Sequence, residues 1–366
     1  MTRRLDILAR AAQFQAVFLE QGATVVEADV LQSADTLLDL YGEDIRARAY
    51  VTSDPLRGEQ MLRPDFTVPV VQMHMDHGAE PARYTYNGVV FRRQEDDPSR
   101  ANEYIQVGYE VFDRSNPAQT DAEVFALIHR ALGDAPVRAA TGDIGILTAA
   151  VMGLKTTDRR KRALMRHIWR PRRFRALMNR FSGRAGDVDS RIALLAKSDP
   201  MAGAGPLLGL RSRAEIIERI DALHQDAAAD PISAQEVELI DAILRVSETC
   251  PYAIQQLRDI AVDLPAISVA IDRLSARTDA LSVQGIDVDT LMFEASYGRT
   301  SMEYYDGFVF GFHAADRADL SPIATGGRYD ALTRRLGHGQ EIPAVGGVIR
   351  PDLVLEITSD KTGGAQ

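Results

Sequence analysis

The stretch from Val89 to Phe112, VVFRRQEDDPSRANEYIQVGYEVF, constrains the fold more than any other: two strand-like runs are joined by a polar loop carrying Glu95, Asp96, Asp97, Pro98, Ser99 and Arg100. The second run alternates. Successive side chains on a pleated strand point to opposite faces, so Ile105, Val107, Tyr109 and Val111 share one face and Gln106, Gly108 and Glu110 the other. The first face reads as core. The second sets an amide and a carboxylate on either side of a residue with no side chain, a shape suited to holding a small polar molecule.

Around this hairpin, residues 1 to about 130 read as α+β. An opening helix puts Ile7, Ala11, Phe14 and Phe18 on one stripe. A strand near ATVVEADVL, a helix ADTLLDLYG, a strand near RAYVT and the segment MLRPDFTVPVVQMHMDH follow it. After the hairpin comes a helix, TDAEVFALIHRAL, for which Thr120 or Asp121 is the expected N-cap. From about Ile144 to Asp279 the pattern is nearly all helical, broken at SDPMAGAGP, AADPISAQE and VDLP. Strand character returns in TLMFEAS and EYYDGFVFGFH, and the chain finishes with ATGGRYDALTRRLG and IPAVGGVIRPDLVLEI. Two strand-rich blocks flanking a helical middle predict one sheet interrupted by an insertion, with residues 1–143 and 281–366 forming the core and 144–280 the insertion.

Composition excludes several classes. With 366 residues, 45% apolar and 26% charged, the chain is of ordinary globular composition, and no apolar run approaches the roughly 18 residues needed to span a bilayer. Asp6, Arg10 and Gln13 interrupt the N-terminal apolar stripe, so it lacks the apolar region of a signal peptide. One cysteine, Cys250, cannot form an intrachain disulfide, and a cytoplasmic location is expected. The formal net charge is −10, yet Lys155 to Arg184 holds twelve Lys and Arg residues against the single acid Asp158. Such a segment fits a nucleic-acid footprint, a basic face docking an acidic partner or a face turned to water, with nucleic acid the less favoured.

Four segments carry polar groups in strand or turn contexts: Arg63 and Asp65 in LRPDFT, Arg92 with Gln106 and Glu110 in the hairpin, Tyr304 and Tyr305 in MEYYDG, and Arg328 and Tyr329 in TGGRYD. Each alone has a structural explanation: Pro64 as a turn residue, the two tyrosines as strand aromatics, Gly326 and Gly327 as a strand-to-helix turn. Together and in this order they resemble the catalytic core of histidyl-tRNA synthetase, a class II aminoacyl-tRNA synthetase, and still more its paralogue, the regulatory subunit of ATP phosphoribosyltransferase. LRPDFT resembles that family's Leu-Arg-Pro-Glu/Asp-x-Thr turn, and FRRQ with YIQVGYEVF its motif 2 hairpin. MEYYDGFVF and TGGRYDAL resemble its histidine signatures, and IPAVGGVI the start of motif 3. The resemblance implies an α+β fold built on a mixed, mostly antiparallel class II synthetase-like sheet with flanking helices and a helical insertion.

It also implies a histidine pocket. Glu110 and Tyr305 would meet the imidazole nitrogens, Asp65 and Gln106 would hold the α-ammonium, and Tyr304 and Tyr329 would line the site. Arg63, Arg92 and Arg328 are candidate anion or ligand contacts, and no metal or cofactor is expected. A carboxylate accepting from one ring nitrogen and a phenol donating to the other read both sides of a neutral imidazole.

The departures from the family are informative. Gln94 stands at an acidic position, and Glu95, Asp96 and Asp97 repel a triphosphate. Leu353 occupies the motif 3 arginine position, and Arg350, followed by Pro351, a family glycine. Thr300 stands where synthetases carry an arginine; with Arg299 one place off, a strand would turn that side chain to the other face. The segment EADVL lacks the motif 1 proline, and after motif 3 the sequence to Gln366 leaves no room for an anticodon-binding domain of about 100 residues. The resemblance therefore implies a non-catalytic regulatory subunit. Its partner would be a short-form catalytic subunit of ATP phosphoribosyltransferase, in a hetero-octamer containing a homodimer of this chain. L-histidine would be the feedback effector in the first step of histidine biosynthesis. The alternative is a synthetase paralogue that binds nucleic acid or retains amino-acid activation.

Overall fold

The computed structural model describes all residues except 1–3, 42–44, 95–99, 187–188, 300–303 and 364–366. Helix α1 (Arg4–Glu20) buries Ala11, Phe14 and Phe18, the stripe its periodicity predicts. β1 (Thr24–Val25), β2 (Leu31–Ser33), α2 (Ala34–Tyr41), α3 (Ile45–Arg48), β3 (Val51–Asp54), β4 (Gly58–Leu62) and α4 (Thr67–His77) follow it. Next come the hairpin strands β5 (Ala82–Phe91) and β6 (Glu103–Phe112), then α5 (Pro117–Leu132) and β7 (Val137–Asp143). The helical middle comprises α6 (Ile144–Gly153), α7 (Asp158–Arg166), α8 (Pro171–Phe181), α9 (Asp189–Leu195), α10 (Arg213–Ala228) and α11 (Ala234–Arg245). A short strand, β8 (Ser247–Thr249), separates these from α12 (Cys250–Asp263) and α13 (Ser268–Val283). The chain closes with β9 (Met292–Glu294), β10 (Phe308–Ala314), β11 (Ala324–Arg328), α14 (Asp330–Leu336), β12 (Ala344–Ile349) and α15 (Pro351–Gly363).

Nine strands form one sheet in the order β1-β5-β6-β12-β11-β10-β7-β9-β8. Only the pairs β1–β5 and β7–β9 are parallel. The sheet thus draws strands from both ends of the chain, and β8, from the helical middle, supplies one edge. β2, β4 and β3 make a separate three-stranded sheet. Among the described residues no helix is long and apolar enough to cross a membrane.

Several local expectations need correction. Helix α5 starts three residues before Thr120: Pro117 takes the first helical position, and the Asn116 side chain caps the helix by accepting from the Gln119 N–H at 3.2 Å. Thr120 and Asp121 are instead buried inside it. β7 was not expected as a strand, and Tyr304 and Tyr305 precede β10 rather than belonging to it. Gly326 and Gly327 lie within β11, where a Cβ at either would overlap a neighbouring ring or backbone oxygen, so close backbone approach demands glycine there.

The core lies between the sheet and its helices. On β6 the Tyr109 ring packs on Phe18 of α1 with centroids 5.3 Å apart, and its hydroxyl donates to Glu123 of α5 at 2.7 Å. On β10 the alternating Phe308, Phe310 and Phe312 all pack around Phe125 of α5, with centroid separations of 6.3, 5.3 and 5.1 Å. The opposite face of β6 is just as buried: Gln106 is 3% and Glu110 1% exposed.

Candidate functional site

Glu110 is the centre of this second buried face. Its Oε1 accepts the hydroxyls of Thr67 and Tyr86, both at 2.9 Å, and its Oε2 accepts that of Tyr329 at 2.6 Å. The donors come from the first turn of α4, from β5 and from the residue before α14. Gly346 is the ladder partner of Glu110 on β12, and a Cβ there would overlap Oε2, so glycine makes room for the carboxylate. Burial pushes the Glu110 pKa up to about 7; the three hydroxyls oppose that rise and the Asp65 charge adds to it. A carboxylate offers roughly four lone-pair directions. Three are taken by these hydroxyls and one direction at Oε2 is left, while Glu110 itself is not among the residues that line the adjacent cavity.

A cavity of about 950 Å³ includes Gln106 and Tyr305 in its wall. Gln106 Oε1 is buried and makes no hydrogen bond among the described residues. A buried acceptor without a donor costs about 1–3 kcal/mol, which a ligand ammonium or N–H in this cavity would offset. The Tyr305 hydroxyl is kept neutral, because burial and the nearby Glu110 and Asp65 charges all raise its pKa. It is therefore a donor rather than a phenolate. Tyr304 is partly buried and sets its ring edge-on to both Tyr305, at 4.9 Å, and Tyr329, at 6.1 Å. Asp65 is buried beside this cluster, and its Oδ1 accepts the Val68 N–H at 3.2 Å, which secures the start of α4.

Of the three candidate arginines only Arg92 lines the cavity, with its Nε on the Pro64 carbonyl at 2.7 Å. Arg63 donates to the Val89 carbonyl at 2.8 Å and to that of Ala28, with its guanidinium 4.1 Å over the Phe66 ring. Arg328 donates to Asp121, Asp330, Thr120 and the Pro117 carbonyl. These two hold elements together rather than facing the cavity.

The departures at Leu353 and Thr300 do not leave the cavity without cationic groups. Arg48, Arg93, Arg100 and Arg350 line it beside Arg92. Arg48 ends α3 and Arg350 follows β12, so only folding brings them together; the sequence marked Arg350 merely as a departure. Its guanidinium lies 4.1 Å over the Tyr104 ring and reaches Asp352 at 3.2 Å. Leu353, at the motif 3 arginine position, is buried in α15. Arg299 lies in a turn rather than on a strand and points elsewhere: its Nε donates to the Ile168 carbonyl at 2.9 Å, and the guanidinium sits over Phe174. Thr300 and the acidic residues Glu95, Asp96 and Asp97 lie outside the described residues.

The basic segment touches the site through Trp169, whose Nε1 donates to the Tyr305 carbonyl at 3.2 Å. Composition alone could not reveal that contact. Part of the basic charge is neutralised within the fold. Arg160 is buried and meets Asp226 at 2.6 Å, Arg191 shares that carboxylate at 2.8 Å, and Arg175 pairs with Asp241. Arg159, Arg162, Arg166, Arg172 and Arg173 remain exposed.

A mostly antiparallel sheet carrying a polar pocket beside its motif 2 hairpin and glycine-rich β11 and β12 defines a class II aminoacyl-tRNA synthetase-like protein. The chain belongs to the histidyl-tRNA synthetase family, whose model matches residues 6–190 and 212–354. Among similar proteins are the ATP phosphoribosyltransferase regulatory subunits of Brucella ovis and Brucella abortus. Each is 30% identical over 363 residues, covering 93% of this chain and 94% of the relative. The fold is also that of an ATP phosphoribosyltransferase regulatory subunit/histidyl-tRNA synthetase from Bacillus halodurans (TM-score 0.68, 20% identity, covering 96% of this chain and 79% of the other). A histidine–tRNA ligase subunit from Alicyclobacillus acidocaldarius shares it too (TM-score 0.60, 23% identity, covering 98% and 94%).

Proposed function

We propose that this chain is a non-catalytic regulatory subunit of a cytoplasmic ATP phosphoribosyltransferase, and that its pocket binds L-histidine as a feedback effector. Its partner is a separate short catalytic subunit, and the chain forms homodimers within a hetero-octamer. The names of the Brucella relatives support the regulatory role. The observation that carries the ligand is Gln106: a buried carbonyl oxygen without a partner among the described residues, in the cavity wall beside Tyr305 and on the same strand face as Glu110. An α-ammonium satisfies Gln106 with help from Asp65, while Glu110 Oε2 and the Tyr305 hydroxyl take the two imidazole nitrogens. Feedback then follows from different histidine affinities in two states of the complex.

The five cavity arginines favour a second reading, a synthetase paralogue that still activates an amino acid. Against it stands Leu353, whose apolar side chain cannot clamp a phosphate. Two measurements separate the readings. Calorimetry should show L-histidine binding to the isolated chain, and histidine-dependent ATP–pyrophosphate exchange should stay at background. Exchange above background would favour the second reading, and absence of histidine binding would remove the effector site.

A further inference from the structure

Tyr86 is the most enclosed of the donors around Glu110. It is fully buried and faces Gly108 across the β5–β6 ladder, where a Cβ would overlap its ring. On its other side the ring stacks on Phe66, with centroids 4.3 Å apart and 11° between planes. A ring held on both sides has one place for its hydroxyl, which is 2.9 Å from Glu110 Oε1. Thr67 donates to the same oxygen, so among the described residues Oε1 carries two protein donors and Oε2 only Tyr329.

We infer that Tyr86 is a positioning residue of the histidine pocket: seated between Gly108 and Phe66, its hydroxyl anchors Glu110 Oε1 and leaves Oε2 turned to the imidazole N–H of the ligand. The inference rests on the histidine reading above and names a residue outside the family motifs quoted for it. Hydrogen bonds from hydroxyls favour the ionised carboxylate, which accepts but cannot donate. Losing one should delay Glu110 ionisation to higher pH and free the carboxylate to turn. The titratable groups facing Glu110 are Tyr86 on β5, Tyr329 before α14, Tyr305 before β10 and Asp65 before α4. Burial keeps the three tyrosines neutral, and the Asp65 charge opposes ionisation of Glu110.

The test compares the full chain with Tyr86→Phe. Ionisation of Glu110 is followed without ligand through its side-chain carboxyl carbon resonance, assigned with Glu110→Gln, and L-histidine affinity is measured at pH 6.5, 7.5 and 8.5. One neutral hydrogen bond predicts an ionisation midpoint about one pH unit higher in the variant. It also predicts a roughly tenfold affinity loss at pH 6.5 that shrinks to about threefold at pH 8.5, where Glu110 is mostly charged in both proteins. Comparing the two proteins at each pH cancels the titration of histidine itself. A purely packing role gives an unmoved midpoint and a pH-independent affinity ratio, and either result overturns the inference. Phe66→Leu, which keeps the hydroxyl but loosens the ring, should move both quantities in the same direction and serves if Tyr86→Phe does not fold. If the unaltered chain binds no histidine, the effector reading falls, while the Glu110 midpoint in the variant still decides whether Tyr86 anchors the carboxylate.

Discussion

Arg328 and Asp121 stand 207 positions apart in sequence, yet the guanidinium on β11 meets the carboxylate on α5 at 2.7 Å inside the core. Arg277 of α13 shares Asp121 at 3.4 Å and reaches Asp143 at 2.7 Å, so one buried network ties β7 and β11, strands from the two halves of the chain, to the helical middle. Asp121→Asn keeps the volume but removes the carboxylate shared by two buried guanidiniums, leaving Arg328 with Asp330 and Arg277 with Asp143. Removing one member of a buried pair typically costs about 3–5 kcal/mol. Urea denaturation should register a loss of that order. A loss below about 0.5 kcal/mol, the range of ordinary surface substitutions, would show that the network does not stabilise the core.

Glu110→Gln should weaken L-histidine binding. The amide keeps the shape of the carboxylate but presents a donor as well as an acceptor to Thr67, Tyr86, Tyr329 and the ligand. For a charged hydrogen bond the expected loss is about 1.5–3 kcal/mol, or roughly 10- to 150-fold in affinity. Isothermal calorimetry reads it directly. Unchanged affinity would mean that the imidazole is read elsewhere.

Asp306 should make stability depend on pH. It accepts the N–H groups of Asp330 and Ala331 at the start of α14, but burial and the neighbouring Asp330 charge push its pKa up to about 7. The folded chain therefore holds this proton to higher pH than the unfolded chain, and the contribution to stability falls as pH rises from about 4 to about 7. Glu110 acts in the same sense from about 4.5 to about 7. Burial lowers the pKa of His74, His129 and His313, which pull the other way below about 6.5. Comparison with Asp306→Asn, which keeps an acceptor for the helix, isolates one term. Between pH 5 and pH 8 the variant should gain on the unaltered chain by on the order of 1 kcal/mol or more in urea denaturation. Parallel pH profiles would show that Asp306 ionises normally.

Tyr305→Phe removes one hydroxyl from the cavity wall. In a complex reconstituted with the catalytic subunit, inhibition by histidine should weaken roughly 5- to 20-fold, the equivalent of about 1–1.5 kcal/mol. Activity without histidine and the assembly itself should be unaltered, since Tyr305 is buried within this chain. The measurement is phosphoribosyl-ATP formation against histidine concentration, with assembly followed by size-exclusion chromatography. An intact complex with unchanged sensitivity would place the regulatory site elsewhere.

What the sequence determined by itself was periodic. The alternation from Tyr104 to Phe112 put Gln106 and Glu110 on one face, the stripe of α1 named its buried residues, and strand character at both ends of the chain predicted a sheet shared between them, although β2, β3 and β4 form a second sheet that this pattern did not separate. Such signals are legible because pleat and helix repeat every 2 and about 3.6 residues, so neighbours in sequence report a shared environment. The tertiary structure decided what those periods do not encode. It buried the polar face of β6 as deeply as the apolar one, because Thr67, Tyr86 and Tyr329 arrive from three other elements to cover it. It turned Arg63 and Arg328 to protein partners and brought Arg48 and Arg350 to the cavity from segments some 300 residues apart. It also made Gly326 and Gly327 places of close approach within the sheet rather than a turn, and gave Gly346 the same close approach. A side chain's partner is set by where distant backbones pass, and that depends on strand order and register, which no local pattern specifies.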